Sequence, residues 1–154
     1  MKIVYNLLII ISFFIIVGCN NENVTNNIDN KIENNTINNP NEVISSVKAI
    51  INEKEYIINL EDNETARSFV NMLPQEFNMN ELNGNEKYIY LDNTLPTNPS
   101  DFKRINAGDV MIYGNNCLVI FYKSFDTSYS YTKIGHIDNL DNLGSESVSV
   151  KIEK

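Results

Sequence analysis

The chain has 154 residues, a formal net charge of −8, two cysteines, one histidine and no tryptophan. That length supports one modest domain with appendages. The acidic balance excludes a nucleic-acid grip, which needs clustered Lys and Arg against phosphate. The single histidine excludes His-based zinc sites and most His-dependent nucleophilic schemes.

The N-terminus reads MKIVYNLLIIISFFIIVGC. One Lys precedes an apolar run over residues 7–17, broken only by Ser12. Its length and flanking charge are those of a secretory signal segment. It is short of the ~20 residues that a comfortable transmembrane helix needs. The run ends in Ile16-Val17-Gly18-Cys19, which resembles the bacterial lipobox. The resemblance implies cleavage before Cys19, diacylglyceryl transfer to its thiol and acylation, with palmitate-like chains, of the new N-terminus. The alternative is an uncleaved anchor helix with an incidental Cys. On the lipobox reading, residues 1–18 are a signal peptide. Cys19 carries the lipid, and the protein sits outside the cytoplasm on the cell membrane or outer membrane. Two or three acyl chains hold firmly, because each buried CH₂ contributes ~0.8 kcal/mol. With Cys19 so used, Cys117 is left unpaired and is expected to be a buried small hydrophobe.

Residues 19–45 read as a tether. Roughly half of residues 20–42 are Asn, and large apolar side chains are sparse, so no core can form there. A coil of ~25 residues spans roughly 25–30 Å. Residues 43–154 hold ten Lys/Arg against sixteen Asp/Glu, a balance of −6. An anionic lipid surface would repel such a domain, so it is expected to hang near the membrane without lying on it.

The globular part, 46–154, opens with Val47, Ala49 and Ile51 alternating, then Tyr56, Ile58 and Leu60, which predicts a hairpin across Asn52-Glu53. A helix follows, capped by Asp62 or Asn63, with Glu64 in its first turn. Ala66, Phe69, Val70 and Leu73 give it one apolar face, and Pro74 stops it. Phe77 and Met79, with Leu82 beyond, suggest a short strand. Asn83-Gly84 is a turn, residues 87–91 are another strand, and a proline-bearing loop covers 95–100.

Residues 105–138 organise the rest. They hold strand-like runs at 109–113, 117–122 and 128–137, the first two separated by Gly114-Asn115-Asn116. The middle run is apolar at nearly every position, as in a strand buried on both faces. One helical turn is expected within 139–145. Val148, Val150 and Ile152 alternate as a closing strand. The count is about eight strands and one clear helix, a mainly β domain with one core.

The order helix, LNGNEKYIYL, LPTNP, INAGDVMIYG, LVIFYKSF, TSYSYTKIGHID is similar to a bacterial family with a cyclophilin-like fold. The likeness covers residues 47–152. Its most specific pieces are residues 82–88, Ala107-Gly108-Asp109, Tyr113-Gly114 and residues 129–138. It implies a small closed β-barrel capped by helix and says little about activity. Cyclophilins proper are prolyl isomerases whose signature has Phe-His-Arg ahead of Gly-Gly-Asp. Here Phe102-Lys103-Arg104 precedes Ala107-Gly108-Asp109, with Lys for His. An isomerase would need the Arg104 guanidinium aimed at a proline nitrogen in an apolar pocket. Otherwise Arg104 belongs to a solvated basic pair.

The tyrosines suggest a binding face. Tyr88/Tyr90 and Tyr129/Tyr131 share an i, i+2 spacing, so each pair lies on one face of its strand. With an apolar ring and a polar tip, tyrosine suits a half-wet groove. Tyr113, Tyr122, Tyr129 and Tyr131 are the candidate ligand contacts, for a peptide, a protein or a small molecule. The alternative is ordinary packing of core and sheet surface. Glu86, Asp92, Asp109 and Asp138 lie among strand ends, where turn and salt-bridge roles are common, and His136 is expected to be exposed or hydrogen-bonded on its strand. No cofactor or metal is expected. A purely structural lipoprotein without a groove is the remaining option.

Overall fold

The structure, a computed structural model, describes residues 44–154. The signal segment, Cys19 and the Asn-rich tether lie outside the described residues. The first hairpin joins β1 (Ser46–Ile51) to β2 (Lys54–Leu60). Its two-residue turn holds Asn52 and Glu53 at φ of +46° and +68°, the left-handed pair that matches strand twist. Helix α1 (Glu64–Asn71) follows, with Asn63 as the capping residue. The Ala66 N–H donates to Asn63 Oδ1 at 2.8 Å, and Asn63 Nδ2 donates to the Lys133 carbonyl at 2.8 Å. The cap therefore also ties the helix to the sheet. Ala66, Phe69 and Val70 are buried against the barrel. Packing is what sustains a helix of this length, which is too short to persist alone.

Strands β3 (Gln75–Leu82) and β4 (Glu86–Tyr90) form the next hairpin, turned by Asn83 and Gly84, both at positive φ. The proline loop then leads to β5 (Ser100–Asp101) and β6 (Arg104–Ile105), each only two residues long. The organising stretch supplies β7 (Asp109–Tyr113), β8 (Cys117–Phe121), the two-residue β9 (Phe125–Asp126) and β10 (Ser130–Ile137), and β11 (Val148–Glu153) ends the fold.

Eight strands run in the order β2-β1-β11-β3-β4-β8-β7-β10, all antiparallel, and β10 pairs back onto β2 through Gly135–Leu60 and Ile137–Ile58. The sheet is thus a closed barrel with one helix over it, as the sequence reading expected. Its interior is filled by alternate residues, among them Ala49, Ile58, Met79, Ile112, Leu118, Ile120 and Val150. Lys133 and Gly135 flank a bulge in the β7–β10 pairing. At Gly135 a Cβ would lie 2.6 Å from the Ile58 side chain and 2.7 Å from the Asn59 carbonyl oxygen, so only glycine lets β2 close so tightly.

The turn of helix expected within 139–145 is not there. Asn139 and Gly144 take positive φ, which a right-handed turn forbids. The loop is instead held by Lys87, which the strand alternation points into the barrel. Lys87 is 0% exposed, and its ammonium donates to Glu81 and to the carbonyls of Gly144 and Glu146, both at 2.7 Å. Tyr122 Oη also donates to Glu81, at 2.8 Å. Burial opposes ionisation of Glu81. The hydrogen bonds from Lys87, Tyr122 and the Gly84 N–H outweigh it and hold the carboxyl below its ordinary value. A largely buried ion pair with its remaining protons satisfied in this way ties the β3–β4 hairpin to the segment before β11.

Candidate functional site

The outer faces of β4, β8, β7 and β10 carry a second apolar cluster, separate from the barrel interior. Strand alternation sets its members. On β4, Glu86, Tyr88 and Tyr90 face outward while Lys87 faces inward. On β8, Leu118 and Ile120 fill the barrel, and Cys117, Val119 and Phe121 face out. This explains why β8 is apolar at every position: both of its faces are covered.

Register then shapes a cleft. Tyr88 stands opposite Val119, and Tyr90 opposite Cys117, which is flanked on its other side by Tyr113. Small side chains on β8 thus lie between large aromatic ones on either side. The result is a cleft of about 320 Å³. One wall is the Tyr88–Tyr90 pair, with ring centroids 6.0 Å apart and planes at 83°. The other is Tyr113, packed edge-on against Tyr129 at 6.0 Å and tilted against Tyr131 at 5.6 Å. Phe121 meets Tyr131 edge-on at 5.4 Å and Phe125 at 5.6 Å, which anchors the β6–β9 flap beside the cleft.

Glu86 is the polar feature of this cleft. It lines the cavity yet is only 8% exposed. Among the described residues no basic side chain pairs with it. Burial, and then the negative charge of Glu81, push its carboxyl up to about 7. The same surroundings act on its neighbours. Burial and the Glu86 charge raise the Cys117 thiol to about 11 and the Tyr131 hydroxyl to about 12.

Of the four tyrosines singled out from the sequence, Tyr113, Tyr129 and Tyr131 line this cleft. Tyr122 lies away from it, buried, with its hydroxyl on Glu81 and its ring 5.0 Å from the Lys87 ammonium. Arg104 sits on the flap with its side chain 59% exposed, pairs with Asp126 at 2.9 Å and does not line the cleft. Cys19 lies outside the described residues. Tyr88 and Tyr90, read from the sequence as a one-face pair but not named as ligand contacts, also line the cleft, as do Phe125 and Glu86, for which the sequence reading gave no ligand role. The parity that paired Tyr88 with Tyr90 was also the available signal for Glu86, two residues before Tyr88 on the same strand.

A second polar constellation joins β7 to β10. His136 Nδ1 lies 3.0 Å from Asp109 Oδ1, and its Nε2 lies 3.6 Å from Asp138 Oδ1. Lys133 adds an ion pair to Asp109 at 3.0 Å. Burial opposes ionisation of Asp109, but hydrogen bonds from the Asn106 N–H, Lys133 and His136 hold its carboxyl below the usual range. Among the described residues, no hydroxyl or thiol hydrogen-bonds to His136, so no nucleophile is presented to it. A larger hollow of about 630 Å³ lies by the start of α1 and is lined mostly by polar groups. Two of its hydroxyls are engaged internally, Thr65 donating to the Pro96 carbonyl at 2.7 Å and Thr132 Oγ1 accepting from the Asn98 N–H at 3.0 Å. No three His, Cys, Asp or Glu side chains among the described residues group as a metal site.

No curated protein and no solved structure matches the chain. A family model, described as the cyclophilin-like family, matches residues 49–153, from the first barrel strand to the last. That span takes in every strand of the closed barrel, and the chain belongs to the cyclophilin-like family.

Proposed function

We propose that this protein is a lipid-anchored binding module that presents the aromatic cleft to a ligand outside the cytoplasmic membrane. One observation carries the reading. The tyrosines of β4 face those of β7 and β10 across the small floor of β8, and the space between them is open. Apolar walls with a few convergent polar groups suit a ligand pocket, and tyrosine walls supply both at low entropic cost. At about 320 Å³ the cleft accepts one side chain of a peptide or a small molecule. The lipobox resemblance at residues 16–19 supports an anchor at Cys19.

The isomerase alternative needs Arg104 beside an apolar pocket, whereas its guanidinium is solvated and engaged by Asp126. The binding reading is therefore the better supported of the two. Its test is titration of the full chain with peptides and small metabolites, followed by tyrosine fluorescence. Saturable binding weakened by Tyr113→Ala and Tyr131→Ala is expected. Binding that ignores both substitutions would remove the cleft from the account. For the anchor, intact-mass measurement should find acyl chains on Cys19, and Cys19→Ser should release the protein from membranes. An unmodified Cys19 would refute that part.

A further inference from the structure

We propose that the cleft selects an organic cation, an alkylammonium group seated on the Glu86 carboxylate between tyrosine faces. This rests on the binding reading above and gives that ligand a charge. The first argument is the unpaired acid. A buried carboxylate is normally matched by a basic partner or a set of donors. Glu86 has no basic partner among the described residues. The adjacent Lys87 points the opposite way, with its ammonium spent on Glu81 and two carbonyls.

The second argument is the walls. Tyrosine faces attract cations through the ring quadrupole. Tyr88 with Tyr90, and Tyr113 with Tyr129, each stand at 83°, so each wall holds rings in two orientations about the space a cation would take. The third is size and field. A cleft of about 320 Å³ fits an ammonium on a short apolar stem. The balance of −6 over residues 43–154 draws cations toward the domain. Register puts Leu82 and Phe121 opposite Glu86; the titratable groups that act on or with it are the Glu81 carboxylate, turned into the barrel toward Lys87, and the Cys117 thiol and Tyr131 phenol of the cleft. Burial keeps the thiol and the phenol neutral at pH 8, so Glu86 is the carboxylate that a bound ammonium meets in the cleft.

The ammonium belongs either to a free amine or to a lysine side chain of a peptide, and the experiment separates these sources. The full chain, in maltoside micelles at pH 8, is titrated with butylammonium, with an acetylated and amidated Gly-Lys-Gly tripeptide, and with their neutral counterparts 1-butanol and the acetyl-lysine tripeptide. Tyrosine emission reports occupancy, since the chain has no tryptophan. At least one cation should saturate at concentrations where its neutral counterpart does not. Glu86→Gln should weaken that binding by about tenfold, the loss of one charge-assisted contact. The preferred cation identifies the source. Equal binding of a neutral counterpart, or unchanged affinity in Glu86→Gln, would overturn cation selection while leaving a binding cleft. No saturation by any of the four probes would overturn both.

Discussion

Replacing Glu86 by Gln should stabilise the folded chain at pH 8 and leave it nearly unchanged at pH 4.5. Glu86 keeps its proton to about pH 7 in the fold, against an ordinary value of 4.5. Between those values the folded chain binds more protons than the unfolded chain, so stability falls as pH rises. The contribution is complete below pH 4.5 and is lost as pH passes 7. Each unit of displacement corresponds to ~1.4 kcal/mol, which puts the ceiling near ~3 kcal/mol. Water in the open cleft screens part of this, and about 1–2 kcal/mol is expected. That is about 4–10 °C in the thermal midpoint of a domain this size. The assay is urea denaturation of wild type and Glu86→Gln, followed by tyrosine emission, from pH 4.5 to 8.5. All other groups titrate in both proteins, so the difference isolates residue 86. Parallel stability profiles across that range would refute the account of Glu86 as a buried, unpaired acid.

Further substitutions test the other devices. Lys87→Met strands the Glu81 carboxylate and two carbonyls, so it should cost about 3–5 kcal/mol in urea denaturation; Glu81→Gln added to it should restore part of the loss. At Gly108, with φ of +97°, a Cβ would meet the Ile137 carbonyl oxygen at 2.2 Å. Gly108→Ala should therefore destabilise by about 2–4 kcal/mol in the same measurement. Cys117, its thiol pushed up to about 11, should react with iodoacetamide at pH 8 about a hundredfold more slowly than an exposed cysteine, as read by peptide mass spectrometry. Arg104→Ala should leave ligand affinity unchanged, and a marked loss by titration would place the flap in the site.

The barrel was legible because strand alternation and turn chemistry are local. Val47-Ala49-Ile51, Asn83-Gly84 and the helix stripe Ala66-Phe69-Val70 each announce their element, and each formed. The uninterrupted apolar run of β8 correctly signals two covered faces, but composition cannot say that one is a barrel interior and the other a cleft. Lys87 shows the limit most sharply. Its strand parity matches Ile89, which points inward, yet a lysine reads as solvated until partners are seen, and those partners lie 57 and 59 residues away. The loop at 139–145 failed as a helical turn for the same reason, because its partners are distant in sequence: Lys54 and Tyr56 on Asp141, and Lys87 on the Gly144 carbonyl. Tyr113 and Tyr131 could be named from the sequence as groove residues. Their convergence with Tyr88 and Tyr90 depends on the order β4-β8-β7-β10, which no local pattern encodes.

The pairing of β10 with β2 has a consequence for self-association. The ring of eight strands leaves little exposed edge along which a neighbour could add its own, since β10 covers Ile58–Leu60 of β2, and β5, β6 and β9 are two residues each, too short to template one. Open sheets with long free edges invite fibrous assembly. A wall closed in this way removes most of the edge on which such assembly is templated.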